Sequence, residues 1–306
     1  MSSRTELFHR KFRRNNPYVT QGRNLAAILM RILAVLSTLT MWTVTAAKAD
    51  LPLTGQAVQG GLLIGTAPMT SHVTLDGEQL ETDGAGRFLI GFHRDDSQAQ
   101  LLQIQSDDGS TQAHIITPEA RDWDIQRIDG LAQKYVTPPA KTLARITSDR
   151  DAVQKARQPT LRSTQLFETG FRWPVSGPVT GVYGSQRILN GTPRQPHYGI
   201  DIAAPKGTNV IVSAPGIVTM AMDLYYTGWT VIIDHGLGLS STYSHLDGVS
   251  VQAGDTVLKD AVIGVVGSTG RSTGAHLDWR VNLGTKRLDP KIVAQVLNAD
   301  ELQKAE

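Results

Sequence analysis

Short runs of alternating apolar and polar residues, separated by Gly or Pro, fill most of this chain. Alternation over about four to eight residues sends successive side chains to opposite faces, so such runs predict half-buried β-strands. Val73-Thr-Leu75 runs into Asp76-Gly77, a tight-turn dipeptide. Asp83-Gly-Ala-Gly86 precedes Phe88-Leu-Ile-Gly-Phe92, and Leu101 to Gln105 and Ala113 to Ile116 flank Asp107-Asp-Gly109. These signals predict a small β-sandwich of about seven strands over residues 50–137. Pro138-Pro139 closes that region. Ser148-Asp-Arg-Asp151 resembles a capping box and opens a helical composition from Asp149 to Arg157 that Pro159 ends, so 138–170 reads as a helical linker.

From Phe171 the strand signals become dense. Val179 to Tyr183, Ile200 to Ala203, Val210 to Val212, Ile217 to Met222, Trp229 to Asp234, Ser241 to His245, Val262 to Val266 and His276 to Val281 are strand candidates. They predict a compact, largely antiparallel β domain over 171–290, with a short terminal helix over 291–306. The fold class expected is all-β, with two domains and a helical linker.

The first 49 residues have a different character. Arg4, Arg10, Lys11, Arg13, Arg14, Arg23 and Arg31 precede an apolar run from Ile32 to Ala47, followed by Ala47-Lys-Ala49. A basic start, an apolar stretch and a small-x-small site form a secretory signal peptide, with a permanent inner-membrane anchor as the alternative. Either way the bulk of the chain is expected outside the cytoplasm, in the periplasm or exported. Charge and composition narrow the chemistry. A net charge of +2 over 306 residues gives no reason to invoke nucleic acid. With no cysteine, a disulfide framework, a catalytic thiolate and Cys-held zinc are all excluded, so any metal must be held by His, Asp or Glu.

Half of the eight histidines lie between 197 and 276. His197 and Asp201, four apart in a Gly-containing, β-branched setting, share a strand face; so do His276 and Asp278, and so, by alternation, do Tyr243 and His245. Polar pairs on several strands are costly as core but are satisfied by converging on a cation. Tyr243 and Trp279 are expected mainly to pack. His235, in Asp234-His-Gly236, is expected in a hairpin turn with a structural role, and His72, His93 and His114 are scattered without ligand spacing.

Phe171 to Pro290 resembles the lysostaphin (LytM) type zinc endopeptidases. The stretches that carry the resemblance are Trp173-Pro-Val-Ser-Gly177, His197-Tyr-Gly-Ile-Asp-Ile-Ala-Ala-Pro-Lys-Gly207, Val231-Ile-Ile-Asp-His-Gly236, Tyr243-Ser-His-Leu246, Gly254-Asp-Thr-Val257, Gly264-Val-Val-Gly-Ser-Thr-Gly270 and Gly274 to Trp279. Upstream, Trp123-Asp-Ile-Gln-Arg-Ile-Asp-Gly130 is similar to the N-terminal β domain of periplasmic members. The resemblance implies a metalloendopeptidase that cuts the peptide cross-links of peptidoglycan. It implies Zn2+ held at His197, Asp201 and the position of Asp278, with His245 and His276 as catalytic histidines.

One departure stands out. The family has His-x-His where this chain has His276-Leu-Asp278. Two carboxylates nearly neutralise a divalent ion, so binding is expected with altered affinity and a weaker Lewis acid. The alternative is a weak or inactive regulator that binds and activates a cell-wall amidase. A carrier barrel of the biotinyl type would need a modifiable lysine at a hairpin tip, where this chain has Asp234-His-Gly236.

Overall fold

A computed structural model describes residues 53–128, 142–161, 163–189 and 191–303. The expected signal or anchor over 1–49 and the Pro138-Pro139 boundary lie outside the described residues. Among the described residues no helix is long and apolar enough to cross a membrane.

The first region is a two-sheet sandwich. Strands β1 (Thr54–Gly55), β2 (Leu62–Thr66) and β5 (Arg87–Gly91) make one sheet; β3 (His72–Leu75), β4 (Glu78–Gln79), β6 (Gln100–Gln105) and β7 (Thr111–Ile116) make the other, in the order β4-β3-β6-β7. The inward residues Leu63, Phe88 and Ile90 of the first sheet meet Val73, Leu102 and Ile104 of the second, all at most 5% exposed. Asp76 and Gly77 both take positive φ, 52° and 82°, as the tight β3–β4 turn requires.

Strand β8 (Ile125–Ile128) leaves the sandwich. It pairs in parallel with β10 (Gln186–Leu189), which also pairs with β11 (Thr192–Pro193). The sandwich and the second region are thus joined by backbone.

Helix α1 spans Leu143–Ala156. It starts upstream of the expected Asp149, and Ser148 is an interior residue rather than the cap. The actual cap is Thr142, which makes no side-chain cap bond, and within the helix Asp149 accepts a bond from the Tyr225 backbone N–H at 2.7 Å that ties it to a distant hairpin.

The second region is a ten-stranded sheet whose main path is β17 (Thr256–Val257), β14 (Gly216–Leu224), β15 (Gly228–Gly236), β16 (Leu239–Val249), β19 (His276–Leu283), β12 (Ile200–Ala203) and β9 (Val179–Gly181). β18 (Val262–Val266) pairs with β16 and β13 (Asn209–Ile211), and β20 (Lys286–Leu288) with β19; every pairing is antiparallel. Helix α2, Pro290–Gln303, closes the chain. Alternation divides β19 cleanly. Leu277, Trp279 and Val281 are fully buried in the core, each burial contributing about 1.5–3 kcal/mol. The intervening Asp278, Arg280 and Asn282 lie on the opposite face, cross-strand from Ser244, Thr242 and Ser240.

His235 belongs to β15 and not to a turn. The reversal falls one step later, at Leu237 and Gly238, both with positive φ. The Asp-His-Gly turn signal was overridden by the pairing of Gly236 with Leu239.

Candidate metal and hydrolytic site

Adjacent strands bring the expected ligands together. Asp201 on β12 is the cross-strand partner of Asp278 on β19, and His197 precedes β12 on a segment whose backbone is bonded to Gly184 and Ser185. One donor atom from each of His197, Asp201 and Asp278 lies within 4.8 Å of the others. His197 Nε2 and Asp201 Oδ1 are 3.2 Å apart, yet both are buried with no hydrogen-bond partner. The two atoms thus stand close together without a hydrogen bond between them. Ligand atoms about 2.0–2.2 Å from one tetrahedral ion lie about 3.3–3.6 Å apart, so this pair fits a shared cation. Gly181 leaves room for the Asp201 carboxylate: a Cβ there would lie 2.2 Å from Asp201 Oδ2.

Asp278 differs from the other two. It is 2% exposed, and Arg280 holds it: Arg280 Nε donates to Oδ1 at 2.9 Å and to Oδ2 at 3.1 Å, and Nη2 makes a further short contact with Oδ2. Burial alone would raise the Asp278 pKa, but the Arg280 charge and hydrogen bonds hold it well below the usual carboxylate range. The guanidinium uses one edge of a carboxylate that offers about four lone-pair sites, so ligating capacity remains.

Opposite the ligands stand two imidazoles. His245 and His276 have ring centroids 4.8 Å apart, and His276 Nε2 is 3.8 Å from Asp201 Oδ1. His245 Nδ1–H donates to the Thr269 carbonyl at 2.8 Å and His276 Nδ1–H to the Gly274 carbonyl at 2.9 Å. A carbonyl accepts only, so both rings are fixed as tautomers whose Nε2 is a free base when neutral. Burial pushes the His245 pKa down, against the Thr269 carbonyl and Asp278, which favour its charged form.

The expected pairing of Tyr243 with His245 on one face does not hold. Tyr243 is fully buried in the core, cross-strand from Trp279, whereas His245 joins the site. The register of β15 and β16 runs from Val231↔Tyr243 to Trp229↔Leu246, so β16 carries an extra residue there. His245 itself has φ 64°, a left-handed conformation that costs a non-Gly residue about 1–2 kcal/mol. This bulge turns the imidazole from the core to the polar face, and a strained catalytic candidate is a known use of such bulges.

His235 stays in the core. It is 0% exposed, Nδ1–H donates to the Pro215 carbonyl at 2.8 Å, and Nε2 lies 2.7 Å from Ser241 Oγ. Ser241 Oγ reaches the Tyr243 hydroxyl at 2.9 Å, which is 3.0 Å from Ser213 Oγ. Burial lowers the His235 pKa to about 4, although the Pro215 carbonyl and Asp234 favour the charged form. Tyr243 and Trp279 pack as expected. Sequence reasoning passed over Arg280 and Thr269. The available signal for Arg280 was an opposite charge two residues from Asp278 on one strand face; Thr269 acts through its carbonyl, which leaves no mark on side-chain chemistry.

Residues 195–290 match the model of peptidase family M23. Over 110 residues the chain is 43% identical to the DD-carboxypeptidase/endopeptidase Mpg of Neisseria meningitidis, covering 36% of this chain and 25% of that protein. Over 121 residues it is 35% identical to the peptidoglycan DD-endopeptidase ShyA of Vibrio cholerae, covering 39% and 27%. The chain thus spans about a quarter of the length of these curated relatives. A crystal structure from Pseudomonas aeruginosa, named as a candidate peptidase M23, is similar at 25% identity and a TM-score of 0.58, covering 79% of this chain and 96% of that one. That likeness extends well beyond the family segment into the upstream sandwich.

Proposed function

We propose that this M23 domain hydrolyses the peptide cross-links of bacterial peptidoglycan, using zinc held by His197, Asp201 and Asp278. The observation that carries the reading is the convergence of the unpartnered His197 Nε2 and Asp201 Oδ1 beside two oriented imidazoles. The names of the relatives Mpg and ShyA support the substrate class.

The chain's own groups divide the work. A bound divalent cation supplies Lewis acidity to the scissile carbonyl and to an attacking water. His245 and His276 then act as the proton carriers. An Nε2 fixed toward the site accepts the water's proton and returns it to the leaving amine. The protonated ring donates to the tetrahedral oxyanion. Thr269 and Gly274 hold the two rings in the tautomer this requires. The basic and apolar segments before residue 50 support a place outside the cytoplasm, in the periplasm or at the inner membrane.

A second reading, a non-hydrolysing activator of a cell-wall amidase, is favoured by one observation: Arg280 already holds Asp278. Both are tested by incubating the purified protein with peptidoglycan, with chelator, and with zinc restored. Loss of cross-linked muropeptides that chelator blocks and zinc restores is the expected result. No product under any condition, together with faster release by an added amidase, would overturn hydrolysis in favour of activation.

A further inference from the structure

We infer that Arg280 belongs to the cation site, its guanidinium and the Asp278 carboxylate acting together as one composite ligand of zero net charge. The inference rests on the reading of His197, Asp201 and Asp278 as cation ligands. Arg280 is a positioning residue here, acting on the ion through Asp278.

Three observations support it. The Asp278 carboxylate is 2% exposed and both of its oxygens lie within 3.1 Å of Arg280 Nε. The carboxylates close enough to act on Arg280 are Asp278 and Asp201, both candidate ligands, whereas Arg157 and Arg287 are close enough to be repelled by it. Arg280 therefore has no other counter-charge to turn to among the described residues, and a buried charge keeps its partner. Finally, Gly199 reserves space for the pair: a Cβ there would lie 2.6 Å from both Asp278 Oδ1 and Arg280 Cγ. The glycine between His197 and Asp201 is thus needed by a carboxylate on the neighbouring strand.

The consequence is electrostatic. One imidazole and two carboxylates present a formal charge of −2 to an ion. Arg280 brings this to −1, the charge of two imidazoles and one carboxylate. The fully neutralised ion expected from His276-Leu-Asp278 alone is avoided, and Asp278 with Arg280 stands in for a neutral imidazole in charge.

The test measures binding of Co2+ and Zn2+ to the full chain stripped of metal, with the Co2+ absorption spectrum as a second readout. Arg280→Gln, which unmasks the second carboxylate charge, is expected to tighten Zn2+ binding about tenfold or more and to change the Co2+ spectrum. Arg280→Lys, which keeps the charge, should stay within about threefold of the parent. Asp278→His leaves Arg280 with Asp201 as its one nearby carboxylate, shared with the ion, so binding should weaken about tenfold or more, and adding Arg280→Gln should restore it. Should Asp278→His fail to fold by circular dichroism, the Gln and Lys variants decide. Unchanged affinity and spectrum in Arg280→Gln overturn the inference while the site reading stands. A parent that binds no ion beside an Arg280→Gln variant that does would also overturn it, making Arg280 a plug. No ion in any variant would sink the site reading itself.

Discussion

Two histidine groups belong to the second region, one on β15 and one just before β12, and they are built in opposite ways. Around His235 the polar atoms form a closed chain through Pro215, Ser241, Tyr243 and Ser213. Around His197 they do not: His197 Nε2, Asp201 Oδ1 and the nearby Ser244 Oγ are buried without partners. Both groups cost desolvation. Only the first recovers it within the protein, so it behaves as scaffold. The second has lone pairs left over, and leftover lone pairs are what a ligand can use. Completeness of pairing, rather than residue type or burial, is what distinguishes these two groups.

That contrast is broken most directly at His276. His276→Ala is expected to lower hydrolysis about 10²–10⁴-fold while the cation remains bound. Loss of the metal in that variant, measured by elemental analysis, would show His276 to be a ligand. His235→Ala should do the reverse. It removes a buried, doubly bonded ring and is expected to cost about 3–4 kcal/mol of stability, read by denaturant unfolding, with hydrolysis per folded molecule kept within about threefold.

A pH series sharpens the same point. The folded-state pKa of His235 is depressed to about 4. The unfolded chain therefore binds a proton first as pH falls, so stability is full above about 6.5 and declines toward 4. The loss should approach about 3 kcal/mol at the acid end. It is measured as the difference in unfolding free energy between the parent and His235→Gln across that range; parallel curves would remove His235 as the cause. The smallest effect is expected for Tyr243→Phe, which deletes one hydroxyl of the closed chain. It should cost about 1–2 kcal/mol in the same unfolding experiment and leave kcat/KM unchanged.

Much of the architecture was legible before the structure. Alternation located the sandwich strands and the central strands of the second sheet, because one buried face forces a period of two. The His197, Asp201 and Asp278 cluster was legible for the same reason, with same-face spacing surviving into cross-strand contact. What escaped notice depended on tertiary context. An extra residue in β16 moved His245 off the face of Tyr243, and one inserted position reverses every inference from alternation beyond it. The start of α1 was misplaced because its true cap, Thr142, makes no side-chain cap bond, whereas the capping-box pattern at Ser148 falls inside the helix. Strands β10 and β11 were missed because a short, polar hairpin shows its nature only beside the partner that completes it.

That partner carries one last implication. Gln186 N–H donates to Asp124 O at 2.9 Å, His197 N–H to Ser185 O at 2.8 Å, and Gly184 N–H to His197 O at 2.8 Å. The upstream strand thus works as a jig: it sets where the imidazole of His197 stands while contributing no atom to the chemistry. A fragment cut to begin at Phe171 would keep every candidate site side chain but leave β10 with a naked flank, ready to zip onto a sister molecule.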